Sequence, residues 1–187
     1  MNELNLITKN IKKEADLLLG KSGLIEFLSK YGDVSIRGSY ELDLMLDGDI
    51  DIYVVSNKIN KNLVIKALTN LIMDEKFNGY FFYDFYKKTR KCFPKGYYVG
   101  LKTVQSERRW KVDIWFMKKM DKSSDNLINF VKERLNKKNR KQILKLKYYC
   151  KNNNINIPSH QIYLAIIEHG ISTVKNLKQN LDKIKKL

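Results

Sequence analysis

Two short apolar runs, each interrupted by carboxylates at alternate positions, constrain this chain more than any other feature. Asp49-Ile50-Asp51-Ile52 opens the run DIDIYVV, and Asp113 sits between Val112 and Ile114 in WKVDIWFM. Alternate side chains of a strand share a face. Asp49 and Asp51 therefore point one way while Ile50 and Ile52 point to a core. By the same rule Lys111, Asp113 and Trp115 share a face. Two like charges this close repel, and the usual result is one sharply raised pKa. A divalent cation removes the conflict by binding both. Mg²⁺ suits the pattern, since it takes hard oxygen ligands and often shares one or two carboxylates with a substrate phosphate. If the two runs are neighbouring strands, all three carboxylates converge.

The rest of the chain reads as alternating elements around those strands. Residues 3–30 carry apolar residues at helical spacing, from Leu4, Ile7 and Ile11 to Leu24, Ile25 and Leu28, with a break or kink at Gly20 and Gly23. The letters GKS at 20–22 resemble the end of a phosphate loop. The full pattern needs Gly where Ala15 stands and a strand where a helix is predicted, so that reading is rejected. Val34–Arg37 reads as a short strand, followed by Gly38-Ser39 and a helical turn through Tyr40–Leu46. A strand at Asp49–Val55, an amphipathic helix over 59–75 and an aromatic strand at Gly79–Tyr86 come next. Tyr97–Val104 and Trp110–Met117 flank the polar QSERR, which fits an antiparallel hairpin. From Ser123 onward the pattern is helical, broken near Asn152–Pro158 and at Gly170. The expected fold is α/β (α+β), with residues 1–120 forming helices plus a mixed sheet. Residues 121–187 form a helical C-terminal region packed onto it.

Composition removes several functional classes. Hydrophobic residues are 43% of the 187, enough for a folded core. No apolar run approaches the roughly 18 residues of a membrane span, and the N-terminus lacks a signal-peptide core, so a cytoplasmic location and no membrane partner are expected. Two cysteines, Cys92 and Cys150, are too few for a disulfide framework or zinc cluster, and His160 and His169 have no Cys at ligand spacing. The formal charge of +16 invites a nucleic-acid reading. Thirty of the 36 basic residues are Lys, in a chain also rich in Asn and Ile, a mixture that AT-rich codons produce. The charge is uneven, because residues 121–187 hold 15 basic residues against 5 acidic ones.

The Gly-Ser pair, Asp-x-Asp on the next strand and a third acid flanked by apolar residues together resemble the nucleotidyltransferase superfamily of the DNA polymerase beta type. The matching residues are Gly38-Ser39, Asp49-Ile50-Asp51-Ile52 and Val112-Asp113-Ile114, with nine residues between Ser39 and Asp49. The likeness covers roughly residues 30–117 and describes a small nucleotidyltransferase-domain protein with a mixed sheet flanked by helices. It implies a transferase moving a nucleoside monophosphate from an NTP such as ATP to an acceptor hydroxyl, with pyrophosphate leaving. It also implies that Asp49 and Asp51 hold two Mg²⁺ ions and that Asp113 completes the ion activating the acceptor, as ligand and potential base. Gly38 would let the backbone approach a phosphate, and Ser39 would hydrogen-bond it from a helix N-terminus. Arg37 stands where the family usually has an apolar residue, and Asp43 stands near a place where small antitoxin-like members have Gly. Tyr40, Glu41 and Asp47 make the mouth of the site unusually acidic.

Other signals carry two readings. Arg37 could touch a phosphate or cap a strand end. Lys111 could bind a triphosphate oxygen or be a solvated strand residue, and Lys102 is similar but less favoured. Arg108 and Arg109 fall in the hairpin turn, where exposed charge is ordinary. The aromatic run YFFYDFY could stack a base, but aromatics on both faces of a strand more often mark a sheet covered on both sides. Eight basic residues lie between Lys132 and Lys147, which reads as a solvated helix face or as a phosphate-tracking patch. A small-molecule acceptor is favoured over RNA because no RNA-binding module is recognisable. A silent nucleotide-binding regulator is the reading from a different class. The length also leaves room for a second subunit, in a homo-oligomer, to complete the site.

Overall fold

The computed structural model describes residues 3–87, 93–120 and 122–187; Cys92 lies outside them, and Cys150 is a buried free thiol. Helix α1 (Glu3–Ser22) buries Ile11, Ala15, Leu18 and Leu19 along one stripe, and α2 (Leu24–Ser29) follows the break at Gly23. The GKS letters thus form the end of a helix. Strand β1 (Asp33–Arg37) leads into α3 (Gly38–Glu41), then come β2 (Asp49–Val55), α4 (Lys61–Met73), β3 (Gly79–Asp84), β4 (Tyr97–Gln105) and β5 (Arg108–Met117). Helices α5 (Lys122–Arg134), α6 (Lys137–Asn152), α7 (Ser159–Ile167), α8 (Val174–Gln179) and α9 (Leu181–Ile184) complete the described elements. Among the described residues no helix is long and apolar enough to cross a membrane.

The strands form one mixed sheet in the order β1-β2-β5-β4-β3, in which only the β2–β5 pair is parallel. The β4–β5 hairpin turns at Ser106 and Glu107, both with positive φ, the backbone that tight hairpin turns need. One sheet face is sealed. Ile50, Ile52 and Val54 of β2 and Val112, Ile114 and Phe116 of β5 pack with α1, α2 and α4 in the first core cluster. The other face carries the residues that alternate with these.

The expectation that the aromatic strand is covered on both sides fails. Tyr80 and Phe82 pack on the core, but Phe81 and Tyr83 stand 44% and 57% exposed. Among the described residues no helix covers them, and the C-terminal helices gather elsewhere.

Those helices form a second cluster with Leu42, Leu44 and Leu46. The helical turn expected over Tyr40–Leu46 ends at Glu41, and Asp43 is left-handed. The three leucines then alternate into the helical core. Basic side chains of α6 fix the segment by its carbonyls: Arg140 donates to Asp43 O at 2.9 Å, Lys147 to Leu44 O at 2.7 Å and Lys151 to Leu46 O at 2.9 Å. Burial pushes Lys147 down to about 8. The basic stretch is therefore divided: Lys132, Arg140 and Lys147 hold the α3–β2 segment, whereas Lys137, Lys138, Lys141 and Lys145 face solvent.

Lys147→Met would leave the Leu44 carbonyl without its buried donor, a loss of about 1–3 kcal/mol. Thermal unfolding should then drop by roughly 2–4 °C per kcal/mol for a chain of this size. An unchanged melting temperature would mean that burying the ammonium costs as much as its hydrogen bonds return.

Candidate active site

Register brings the three predicted acids together. In the parallel β2–β5 pair Asp51 is opposite Asp113 and Asp49 is opposite Lys111, all on the open face. Arg37 lies beside Asp51 on the other flank. Gly38 takes φ +66°, and a Cβ there would collide with Asp51 Oδ2. The glycine is thus needed twice, for its left-handed backbone and for the close approach of the chain to a carboxylate. Ser39 follows it, and its carbonyl accepts from Leu44 N at 2.8 Å.

The carboxylates differ in setting. Asp51 is the most deeply placed, and burial, reinforced by the charges of Asp49 and Asp113, pushes it up to about 7. Burial also raises Asp49, with Lys111 opposing. Asp49 Oδ1 is sealed and has no hydrogen-bond partner among the described residues, although its side chain as a whole is 49% exposed. Asp113 is held from both sides: Tyr98 donates to its Oδ1 at 2.6 Å, and the Lys111 ammonium to its Oδ2 at 2.5 Å. Lys111 Nζ is also 3.9 Å from Asp49 Oδ1. Burial works against that ammonium, but the bond and charge of Asp113, with Asp49 and Asp51, raise it overall.

Tyr98 escaped the sequence reading, yet Gly100 is a visible signal for it. A glycine inside a strand often marks a close approach. Here Gly100 is opposite Asp113, and a Cβ on it would stand 2.6 Å from the Tyr98 hydroxyl. The missing side chain is what lets Tyr98, two residues away, lean across to the acid.

Arg37 is engaged away from the acids, pairing with Glu41 at 3.4 Å and with Asp125 of α5. Glu41 also pairs with Lys132 at 3.2 Å, Asp47 with Lys151 at 2.5 Å, and Tyr40 donates to Asp16 at 2.7 Å. The mouth that looks acidic in sequence is thus largely neutralised by basic partners. Arg108 is bound to Glu14 of α1 at 2.6 Å, which ties the hairpin to that helix.

Among the described residues no three His, Cys, Asp or Glu side chains are arranged, as they stand, to hold a metal ion. In kind the donors do fit one. They are carboxylate oxygens on one face, one oxygen is sealed without a partner, and one acid is raised by burial, reinforced by its like-charged neighbours. The Lys111 ammonium supplies the positive charge in this arrangement.

No protein-family model matches the chain, and no curated protein does. Among solved structures it resembles the polymerase core of TRAMP, an RNA surveillance complex, with 16% identity and a TM-score of 0.59. That match covers 97% of this chain and 60% of the other, so the chain spans less than two thirds of the polymerase-core chain. The GLD-2–GLD-3 poly(A) polymerase complex is also similar, at 14% identity and a TM-score of 0.48 over 89% of this chain and 58% of that one, too loose to add to the argument. The likeness to the polymerase core establishes the fold, a mixed-sheet nucleotidyltransferase-type α+β fold, and nothing beyond it.

Two predictions test this geometry. Asp51 binds its proton more tightly folded than unfolded, so its contribution to stability is full below about pH 4 and is lost as pH rises through about 7. Thermal unfolding from pH 4 to 8 should therefore fall more for the wild type than for Asp51→Asn; parallel curves would remove the raised pKa. Gly38→Ala should lower stability by at least about 1 kcal/mol from its left-handed backbone alone. It should also displace Asp51, so that its pH–stability curve moves towards that of Asp51→Asn.

Proposed function

We propose that the protein is a Mg²⁺-dependent nucleotidyltransferase that moves a nucleoside monophosphate from an NTP to a hydroxyl acceptor. The observation that carries this is the pairing of Asp51 with Asp113 across parallel strands, with Asp49 on the same face and Gly38 against Asp51. Asp49 and Asp51 would hold the metal, with Asp113 as third ligand once it parts from Lys111. When bound, Mg²⁺ neutralises charge on the attacking and leaving oxygens of an in-line displacement. Gly38 and Ser39 would position the triphosphate, with Lys111, and less directly Arg37, neutralising its oxygens. The acceptor oxygen bonds to the α-phosphorus, the bond to the bridging oxygen breaks, and pyrophosphate leaves with that electron pair. Asp113 takes the hydroxyl proton. In this reading residues 1–120 carry the chemistry, and residues 121–187 hold the α3–β2 segment in place. A small-molecule acceptor and a cytoplasmic location complete the proposal.

Two observations support other readings. The Lys111–Asp113 pair gives the site an internal cation, which favours a silent nucleotide-binding relative. A cavity lined by Lys9, Lys12, Lys13 and Arg140 against Asp16 and Asp43, beside exposed Lys137 and Lys141, favours transfer to RNA.

Thermal unfolding with ATP, GTP, CTP and UTP, with and without Mg²⁺, separates the enzyme from the silent relative. Nucleotide at about a hundredfold over its dissociation constant should stabilise the fold by roughly 2.7 kcal/mol. The shift should need Mg²⁺ and vanish in Asp51→Asn. A shift that survives Asp51→Asn, or that is the same without Mg²⁺, would favour the silent relative.

A further inference from the structure

The open sheet face continues past the acids into an aromatic wall. Phe81 and Tyr83 share that face of β3 and are largely exposed. With Tyr98, Gly100, Lys102 and Lys111 they line a cavity of ≈140 Å³. Its position is set by register: Phe81 is opposite Gly100, and Gly100 is opposite Asp113. At the usual strand spacing, Phe81 is therefore about 10 Å from Asp113 along the sheet. Gly100 has no side chain of its own, and the Tyr98 phenol lies over it, forming the floor of the cavity between Phe81 and Asp113. The rim is cationic, with the Lys102 ammonium 4.7 Å from the centre of the Phe81 ring and Lys111 beside Asp113.

We propose that this cavity is the acceptor subsite, and that it takes a planar ring carrying an anionic group, of which a nucleoside monophosphate is the simplest form. The proposal rests on the nucleotidyl-transfer reading above. The ring stacks on Phe81 and Tyr83, Lys102 and Lys111 meet the phosphate, and a ribose hydroxyl is directed to Asp113. That hydroxyl oxygen bonds to the α-phosphorus of the NTP, its proton passes to Asp113, and pyrophosphate departs. A polycationic acceptor places its charge against the Lys102 ammonium at the Phe81 end of the cavity. A sugar phosphate without a ring leaves the aromatic wall wet. The cavity is of the size of one ring system, so the recognised unit is a single nucleotide, free or at the end of a strand.

Calorimetric titration tests this with AMP, adenosine, ribose 5-phosphate, a short oligoribonucleotide and an aminoglycoside. AMP should bind the wild type and Asp51→Asn alike, and more tightly than adenosine or ribose 5-phosphate. Phe81→Ala should weaken AMP by roughly five- to a hundredfold, the effect of losing one base–aromatic stack. Lys102→Gln should weaken AMP by more than it changes adenosine, because only AMP loses the anion contact while both ligands meet the Phe81 ring that Lys102 covers. Oligonucleotide binding more than about tenfold tighter than AMP makes the source a strand end; comparable or weaker binding makes it a free nucleotide. Unchanged AMP affinity in Phe81→Ala, or tighter binding of the aminoglycoside, would overturn the proposal. The Mg²⁺-dependent NTP shift is read on the same variants. Its loss in Asp51→Asn and retention in Phe81→Ala keep failure of the acceptor subsite distinct from failure of nucleotidyl transfer.

Discussion

Seven residues of β2 run parallel to β5, and that register sets Asp51 directly against Asp113 in the middle of the sheet. The pairing is stabilised from the sealed face, where Ile50, Ile52, Val112 and Ile114 are fully buried under the N-terminal helices. Hydrophobic burial on one side thus forces like charges together on the other. A slip of one residue would bury the acids and expose the isoleucines, so the register cannot drift. Gly38 and Gly100 adjust the surroundings to fit. One lets the backbone reach Asp51, and the other lets a phenol cross to Asp113.

The excess positive charge has a structural outlet. Four of the fifteen C-terminal basic residues are aimed inward: Lys132 meets Glu41, Lys151 meets Asp47, and Arg140 and Lys147 bind carbonyls of the segment between α3 and β2. Asp125 reaches the other way, to Arg37 at the end of β1. Half-exposed pairs such as Lys132–Glu41 contribute little stability individually. Their effect here is positional. They hold both ends of the loop that delivers Asp49 and Asp51, and the buried leucines between them prevent it from lifting.

Strand positions and the acidic site were legible because both rest on period-two patterning, which one sheet face under helices imposes directly. The same period runs through Leu42, Leu44 and Leu46, where a helical turn was expected; the signal was present, but only the C-terminal cluster reveals which surface those leucines meet. Exposure of Phe81 and Tyr83 was not legible, since composition alone cannot say whether a second layer covers a strand. Nor was the division of the basic stretch. Lys145 and Lys147 are two residues apart on one helix, yet one is solvated and the other is buried against Tyr163 and the Leu44 carbonyl. Helix phase gives the face; the partner comes from tertiary contact.

Lys111 is the point on which catalysis and silence divide. Its ammonium balances one of three carboxylates, so the group remains net negative and still favours added positive charge. The Lys111 side chain is 47% exposed and that of Asp113 only 13%, so the ammonium can return to water once another cation meets the acid. A lysine stem is long and flexible enough to swing from a carboxylate to a neighbouring phosphate oxygen. Displacement by a divalent cation would free the Asp113 oxygen that Lys111 now occupies, leaving Tyr98 on the other. The ammonium would then be free to meet the triphosphate or an acceptor anion at the rim shared with Lys102. In the proposed reading the Lys111 ammonium would exchange with the metal rather than replace it.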